Sequence, residues 1–213
     1  VVHALRPGST AVRARWGGGE GKAAVVVREA GGGARSFNFA NDIAPVFSRL
    51  GCNSSNCHGS LTGQNGFKLS LFGYDPEADH EAIVTASEGR RINRAQPDES
   101  LLLRKATFAV AHGGGRLFEP DSAEFRLLRD WIAQGAAKGK SDGPRLSRLE
   151  VYPRDERVLT RRDQAQRLVV LGHYSDGAQA DMTRQVRYTS SNEAVAAVSP
   201  EGVITAKGNG QAG

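Results

Sequence analysis

The sequence predicts a multidomain protein of α plus β class, in which a small helical domain is combined with a β-sandwich. Segments that alternate in polarity or are rich in β-branched residues occupy both ends of the chain. The middle, about residues 37 to 140, has apolar residues at helical spacing instead. The 26 glycines, many of them in clusters, indicate numerous turns and short elements rather than long helices.

The composition favours two or more modest domains and excludes several functions. Of the 213 residues, 39% are hydrophobic but only 7% are aromatic. The net charge of +5 comes from 28 basic and 23 acidic residues that are interspersed, which disfavours a nucleic-acid groove. No apolar run approaches the roughly 20 residues of a membrane span. Because the chain starts within a strand pattern, we expect any export signal to lie upstream of Val1.

The two ends of the chain are predicted to be parts of β units. Residues 203–212 align without a gap with residues 1–10, so that Ala206 matches Ala4 and Gly210 matches Gly8. We therefore interpret residues 1–30 as the C-terminal strands of one unit and residues 148–213 as the N-terminal strands of another. The predicted strands are residues 1–4, 11–16, 23–27, 149–152, 166–170, 186–189, 195–198 and 203–204.

The C-terminal segment resembles a known family. The motifs that carry the resemblance are Tyr174-Ser175-Asp176-Gly177, Asp181-Met182-Thr183, Tyr188-Thr189-Ser190-Ser191-Asn192, Val195-Ala196-Ala197-Val198 and Gly202-Val203-Ile204-Thr205-Ala206. In this order they are similar to the group 2 bacterial immunoglobulin-like domain. The resemblance implies an immunoglobulin-like β-sandwich in an extracellular or periplasmic protein.

An isolated half sandwich would expose a sheet edge and half a core. We therefore expect residues 1–30 to complete the unit of residues 148–213, either in the same chain or by strand exchange with a neighbouring chain.

The segment of residues 37–140 is predicted to be a mainly helical domain. Asn41 or Asp42 is expected to cap a first helix that has Pro45 in its first turn and runs into Cys52. Its apolar stripe is Ile43, Phe47 and Leu50. Ser122 is expected to open a last helix, which buries Phe125, Leu128 and Ile132, gains bulk from Trp131 and stops near Gly135.

Both cysteines of the chain lie in the stretch Cys52-Asn53-Ser54-Ser55-Asn56-Cys57-His58. Two thiols followed at once by a histidine are typical of covalent haem attachment, in which the imidazole ligates the iron. The usual spacing is C-x-x-C-H, and we expect the two extra residues to bulge outward. A disulfide between Cys52 and Cys57 and a zinc site with His58 are the alternatives.

A second resemblance covers about half of the chain. Its motifs are Asp42-Ile43-Ala44-Pro45-Val46-Phe47-Ser48, Gly51-Cys52-Asn53, Cys57-His58-Gly59, Gly66-Phe67-Lys68-Leu69-Ser70-Leu71-Phe72-Gly73-Tyr74-Asp75-Pro76, Pro97-Asp98-Glu99-Ser100-Leu101-Leu102-Leu103 and His112-Gly113-Gly114-Gly115. They resemble the cytochrome c-like domain of large secreted planctomycete multidomain proteins. The resemblance implies haem c as the cofactor, held by Cys52 and Cys57, with His58 as the proximal ligand.

His112 is our candidate for the distal ligand, because it precedes Gly113-Gly114-Gly115 and the last helix. His80 is the second choice. Met182 is the only methionine and lies in the immunoglobulin-like segment, where we expect a core role. We expect His3 and His173, on β segments, to be surface residues.

The remaining candidates concern the haem pocket. Arg90, Arg91 and Lys105 are candidates to pair with the haem propionates. The candidate haem wall, which is equally compatible with an ordinary core, is Phe47, Phe67, Leu69, Leu102 and Trp131.

The leading hypothesis is an exported c-type cytochrome module that transfers single electrons to an unknown redox partner protein, with bis-histidine iron. Iron with two protein ligands leaves no position for a substrate, which favours electron transfer over catalysis. The alternatives are a five-coordinate haem enzyme or sensor and an immunoglobulin-like structural or adhesion module. No Ser-His-Asp pattern, phosphate loop or paired-carboxylate motif favours a hydrolase or a nucleotide enzyme.

Overall fold

The computed structural model describes residues 5–27, 36–140 and 142–213. Contacts divide the chain into two compact units, Val1–Ser36 and Phe37–Gly213. Within the described residues, no helix is both long and apolar enough to cross a membrane. The predicted strand of residues 1–4, with His3, lies outside the described residues.

The first unit contains an antiparallel hairpin of β1 (Gly8–Trp16) and β2 (Gly19–Val27). Gly17 and Gly18, both with positive φ, form the two-residue turn that such a hairpin favours. The register runs from Gly8 opposite Val27 to Trp16 opposite Gly19. The strand predictions for residues 11–16 and 23–27 are confirmed. Whether this hairpin completes an immunoglobulin-like unit stays a prediction.

The second unit begins with the helices that lead to the cysteines. A short π-helix, Phe39–Ile43, passes into α1 (Ala44–Arg49). The Asn38 side chain accepts a hydrogen bond from the Asn41 backbone N–H. The prediction of a cap at Asn41 or Asp42 was therefore wrong by one turn, because an extra π-helical turn precedes Pro45.

Three further helices complete the helical part: α2 (Pro76–Val84), α3 (Leu101–Ala106) and α4 (Ala123–Ala133). The Ser122 hydroxyl caps α4 by accepting from the Phe125 N–H, as predicted. The helix buries its predicted apolar face and ends just before Gly135, whose φ is +93°. One hydrophobic core joins these elements: Phe37, Phe39, Ile43, Ala44, Val46, Phe47, Leu69, Ile83, Val84, Ile92, Leu103, Phe118, Phe125, Leu128, Trp131, Ile132 and Ala136.

The C-terminal part forms two three-stranded antiparallel sheets. One has the order β3 (Leu146–Tyr152), β5 (Val169–Tyr174), β6 (Gln179–Asp181). The other has the order β4 (Ala165–Arg167), β8 (Val203–Ala206), β7 (Ala196–Val198).

Most of the C-terminal strands were predicted, with three errors. The predicted strand of residues 186–189 was wrong, because Tyr188 belongs to an irregular segment and its hydroxyl donates to the Thr183 carbonyl. The predicted strand of residues 166–170 is divided between β4 and β5, which lie in different sheets, and β6 was missed. Met182 is buried, as predicted.

Candidate functional site

The segment from Cys52 to Gly59 is a compact loop that follows α1 directly. The Cys52 N–H donates to the Phe47 carbonyl at 2.9 Å, which joins the loop to the helix. The His58 N–H then donates back to the Cys52 carbonyl at 2.9 Å, and the Gly59 N–H donates to Ser54 at 3.1 Å. These bonds fold the seven residues from Cys52 to His58 back on themselves, so that both cysteines and the histidine lie in one short loop.

Asn53 anchors this loop in the protein interior. Its side chain is 1% exposed, and its Nδ2 donates to Ser48 Oγ at 2.9 Å. Its backbone carbonyl accepts from the Phe72 N–H at 3.0 Å. Its Oδ1 is buried without a hydrogen-bond partner among the described residues. The expectation that two residues between the cysteines bulge outward agrees with Ser55 and Asn56, which are exposed, whereas Asn53 is buried.

His58 is oriented by a hydrogen bond from its ring. Nδ1 lies 2.9 Å from the Phe67 carbonyl oxygen, which can only accept, so Nδ1 carries the proton and Nε2 carries the lone pair. Phe67 is held for this role by a tight turn at Asn65-Gly66, both with positive φ, and by the bridge between Gln64 and Phe67. Histidines that bind metals through Nε2 are commonly fixed in this way.

His112 has the same arrangement. Its Nδ1 lies 3.0 Å from the Gly115 carbonyl oxygen, so its Nε2 also carries a lone pair. Lys105, at the end of α3, fixes the preceding residue, because its Nζ donates to the Ala111 carbonyl at 2.6 Å. Lys105 therefore positions the loop of His112, and the N–H that bonds to Ala111 is not available for a propionate.

The structure brings His58 and His112 together. Their ring centroids are 6.3 Å apart and their planes are 8° from parallel. With a metal–imidazole bond of about 2.0 Å, two imidazoles on opposite sides of one metal have centroids roughly 6 Å apart, whereas tetrahedral ligands are roughly 5 Å apart. The separation therefore fits ligands on opposite sides of one metal ion. Among the described residues, neither Nε2 has a hydrogen-bond partner.

Burial sets the ionisation of the motif. It lowers the pKa of His58, and the nearby His112 and Arg91 lower it further, against the opposing effect of the bond to Phe67. A neutral imidazole is the form that binds a metal. Burial, with Cys57 nearby, raises the pKa of the Cys52 thiol to about 12. Both thiols are free rather than joined in a disulfide.

The second choice for a distal ligand, His80, lies in a different environment. Its Nε2 lies 2.8 Å from the Ala136 carbonyl. Its ring contacts Phe39 and Trp131 edge-on, with centroids 5.2 and 6.2 Å away. Because that carbonyl occupies the nitrogen that would face a metal, His80 has a structural role in the core.

The candidate wall residues are all part of the helical core. Phe47, Leu69 and Trp131 are buried, and Phe67 and Leu102 are partly buried against them. Phe67 contacts His58 directly, with ring centroids 4.5 Å apart. Trp131 instead packs on Phe39 and donates from Nε1 to the Ala137 carbonyl, so its contacts are explained by the core alone.

The two candidate arginines differ in exposure. Arg90 is exposed. Arg91 is buried, and its guanidinium bonds to the carbonyls of Gly66, Ala82 and Ala86. To pair with a propionate, Arg91 would therefore have to use its remaining N–H or exchange one of these backbone acceptors.

No group of three His, Cys, Asp or Glu side chains within the described ranges is placed to hold a metal ion.

The structure also adds residues that the sequence did not single out, namely Asn53 and the carbonyls of Phe67 and Gly115. The Asn-Gly dipeptide before Phe67 was the available signal for the first of these carbonyls.

The part of the chain that forms the two three-stranded sheets is similar to a known family. Residues 151–213 match the bacterial Ig-like domain (group 2). This immunoglobulin-like domain is of a kind typical of extracellular or surface proteins. A comparison with curated proteins finds no match. The comparisons give no support to the cytochrome c-like resemblance of residues 37–140, which therefore stays a proposal.

Proposed function

We propose that residues 37–140 form a c-type cytochrome module that transfers single electrons. Cys52 and Cys57 hold the haem through thioether bonds, and His58 and His112 are its axial ligands. The immunoglobulin-like domain spaces or presents this module in an exported protein, in the periplasm or outside the cell. The partner is a redox protein.

The relation between His58 and His112 carries this proposal. Each of the two imidazoles is held by a hydrogen bond from Nδ1 to a backbone carbonyl, and neither Nε2 has a hydrogen-bond partner among the described residues. Their separation of 6.3 Å matches that of opposite ligands on one metal. They lie 54 positions apart in the sequence, on separate loops, so local chain geometry does not explain the juxtaposition.

The thiol of Cys52 fits thioether formation better than zinc binding. A thioether sulfur is uncharged, so the burial that raises the Cys52 pKa does not oppose it. A zinc site would require the charged thiolate in the same buried position.

When bound, haem supplies an iron that cycles between two oxidation states by one electron. The protein supplies the rest. His58 and His112 would both bind the iron, which would leave it no open position for a substrate. The hydrogen bonds to Phe67 and Gly115 fix the ring orientations, so that little rearrangement accompanies a change of charge.

The test is expression of the chain together with a c-type cytochrome maturation system in the bacterial periplasm. We expect a covalently bound chromophore, a pyridine haemochrome spectrum and a reduced-minus-oxidised α-band. The Cys57→Ser variant should retain at most one thioether and shift that spectrum. A properly matured chain without an α-band overturns the proposal.

Two variants separate the alternatives. In His58→Ala the iron loses its proximal ligand, so the low-spin spectrum should be lost, whereas His80→Ala should keep it because His80 Nε2 already bonds to Ala136. If the wild-type protein binds carbon monoxide without displacing a ligand, the iron is five-coordinate and the enzyme or sensor alternative is correct.

A further inference from the structure

Arg91 is a buried cation held by neutral groups. It is 4% exposed, and its Nη1 donates to the carbonyls of Ala82 and Ala86, each at 2.9 Å. Its Nη2 donates to the Gly66 carbonyl at 3.0 Å and to Ser87 Oγ at 3.4 Å. Four of its five N–H donors are thus used by the end of α2, the loop that follows it and the turn at Gly66.

These partners stabilise the charge without cancelling it. Ala82 lies in the last turn of α2 and Ala86 just beyond, where carbonyl oxygens carry the negative end of the helix dipole. No carboxylate contributes to the environment of Arg91 among the described residues, and its charged neighbour is Arg90. The positive charge of Arg91 therefore acts on its surroundings without a counter-ion.

Phe67 places this charge close to the proximal histidine. The Arg91 guanidinium carbon lies 4.6 Å from the centroid of the Phe67 ring. The same ring lies 4.5 Å from the His58 ring, and the Phe67 carbonyl accepts from His58 Nδ1.

We propose that Arg91 is a positioning and tuning residue that raises the reduction potential of the site. This inference rests on the proposed haem function. One electron, taken from an electrode or a redox partner, lowers the charge at the iron by one. A fixed positive charge nearby favours that lower charge, so it stabilises the reduced form relative to the oxidised form.

The expected change in reduction potential is large enough to measure. A unit charge roughly 10 Å away, at an effective dielectric constant of about 20, changes the equilibrium constant for reduction by about tenfold. For a single electron, a tenfold change corresponds to about 59 mV.

Ser87 allows a test that leaves the core intact. It is exposed, and its backbone is left-handed with φ 54°, a conformation that Asp and Asn tolerate. Ser87→Asp places a carboxylate beside Arg91, and Ser87→Asn is the neutral control of the same shape. With haem attached, the midpoint potential of Ser87→Asp should be lower than that of Ser87→Asn. The difference should be less than about 59 mV, because solvent screens an exposed carboxylate.

Arg91 itself gives the second comparison. Arg91→Gln should lower the midpoint potential by about 59 mV relative to the wild type. Arg91→Lys keeps the positive charge, so its midpoint potential should stay close to that of the wild type. A merely structural role predicts no difference between Ser87→Asp and Ser87→Asn, whose folds and spectra should be the same.

The outcomes are distinct. Equal midpoint potentials for Ser87→Asp and Ser87→Asn in haem-bearing protein overturn this inference, whatever Arg91→Gln does, including a failure to fold. A wild-type chain that matures without covalent haem overturns the proposed function as well, and with it the inference that depends on it.

Discussion

The imidazole rings of His58 and His112 lie 6.3 Å apart with nearly parallel planes, and a backbone carbonyl orients each of them through Nδ1. The protein fold therefore fixes the tautomer and the orientation of both rings, which leaves each Nε2 with its lone pair. Such pre-organisation reduces the conformational cost of binding a cofactor. It also makes each histidine separately testable.

Removing the distal imidazole should open one axial position. In His112→Ala, carbon monoxide should bind to the reduced protein and shift its absorption spectrum, which the wild type should resist. His80→Ala is the matched control, because His80 is part of the core and bonds to Ala136. An unchanged spectrum in His112→Ala would show that His112 is not a ligand.

The near-parallel ring planes predict a specific magnetic signature. Two imidazoles 8° from parallel donate π density along the same direction, so they make two of the iron d orbitals unequal in energy. The oxidised protein should therefore give a rhombic low-spin electron paramagnetic resonance spectrum with three well-separated g values. A single dominant, strongly anisotropic feature would instead indicate perpendicular rings and would contradict the observed geometry.

Elements with a strong local signal could be predicted from the sequence. The Ser122 cap and the apolar face of α4 agree with the structure because capping and helical periodicity depend on neighbouring residues. The start of the first helix was misplaced because Asn38 offers an equally good cap and the π-helical turn has no periodic signature. The strand β6 was missed since three residues are too few to show alternation.

The site was less predictable than the motif. The types and spacing of Cys52, Cys57 and His58 indicate haem attachment in the sequence itself. The partner of His58 is a backbone carbonyl, which every residue has, so no sequence pattern identifies it. The sequence does not indicate that Asn53 is buried, because the hydrogen bonds that hold it inside join it to Ser48 and Phe72. Such long-range pairings have no local sequence pattern.

Gly59 should be indispensable to the loop. A Cβ on Gly59 would lie 2.0 Å from the Asn53 carbonyl oxygen, which is backbone and cannot move aside without opening the turn. Gly59→Ala should destabilise the protein by about 1–3 kcal/mol and reduce the haem content after maturation. The measurements are urea denaturation and the haem-to-protein ratio.

Gly113→Ala is the matched control for that variant. A Cβ at Gly113 meets open space within 4 Å, and its φ is not positive. Its stability should stay within about 0.5 kcal/mol of the wild type. Equal losses in the two variants would contradict the steric argument.

Asp79 should make the helical core less stable as the pH rises. It is 3% exposed, and burial raises its pKa, although hydrogen bonds from the Ser70 N–H and hydroxyl oppose the rise and Asp75 adds to it. Between roughly pH 3.9, the value for an unfolded Asp, and the raised pKa of the folded state, the folded protein binds more protons. Stability therefore falls with rising pH across that window.

Asp79→Asn removes this dependence while keeping the shape and an acceptor for Ser70. The unfolding free energy of the wild type minus that of Asp79→Asn should fall as the pH rises through the window, by at most about 1.4 kcal/mol per pH unit. Urea denaturation in a Trp16→Phe background reports on the right region, because it leaves Trp131 in the helical core as the single tryptophan. A difference that instead rises with pH would mean that the two bonds from Ser70 outweigh burial and that the Asp79 pKa is lowered in the folded protein.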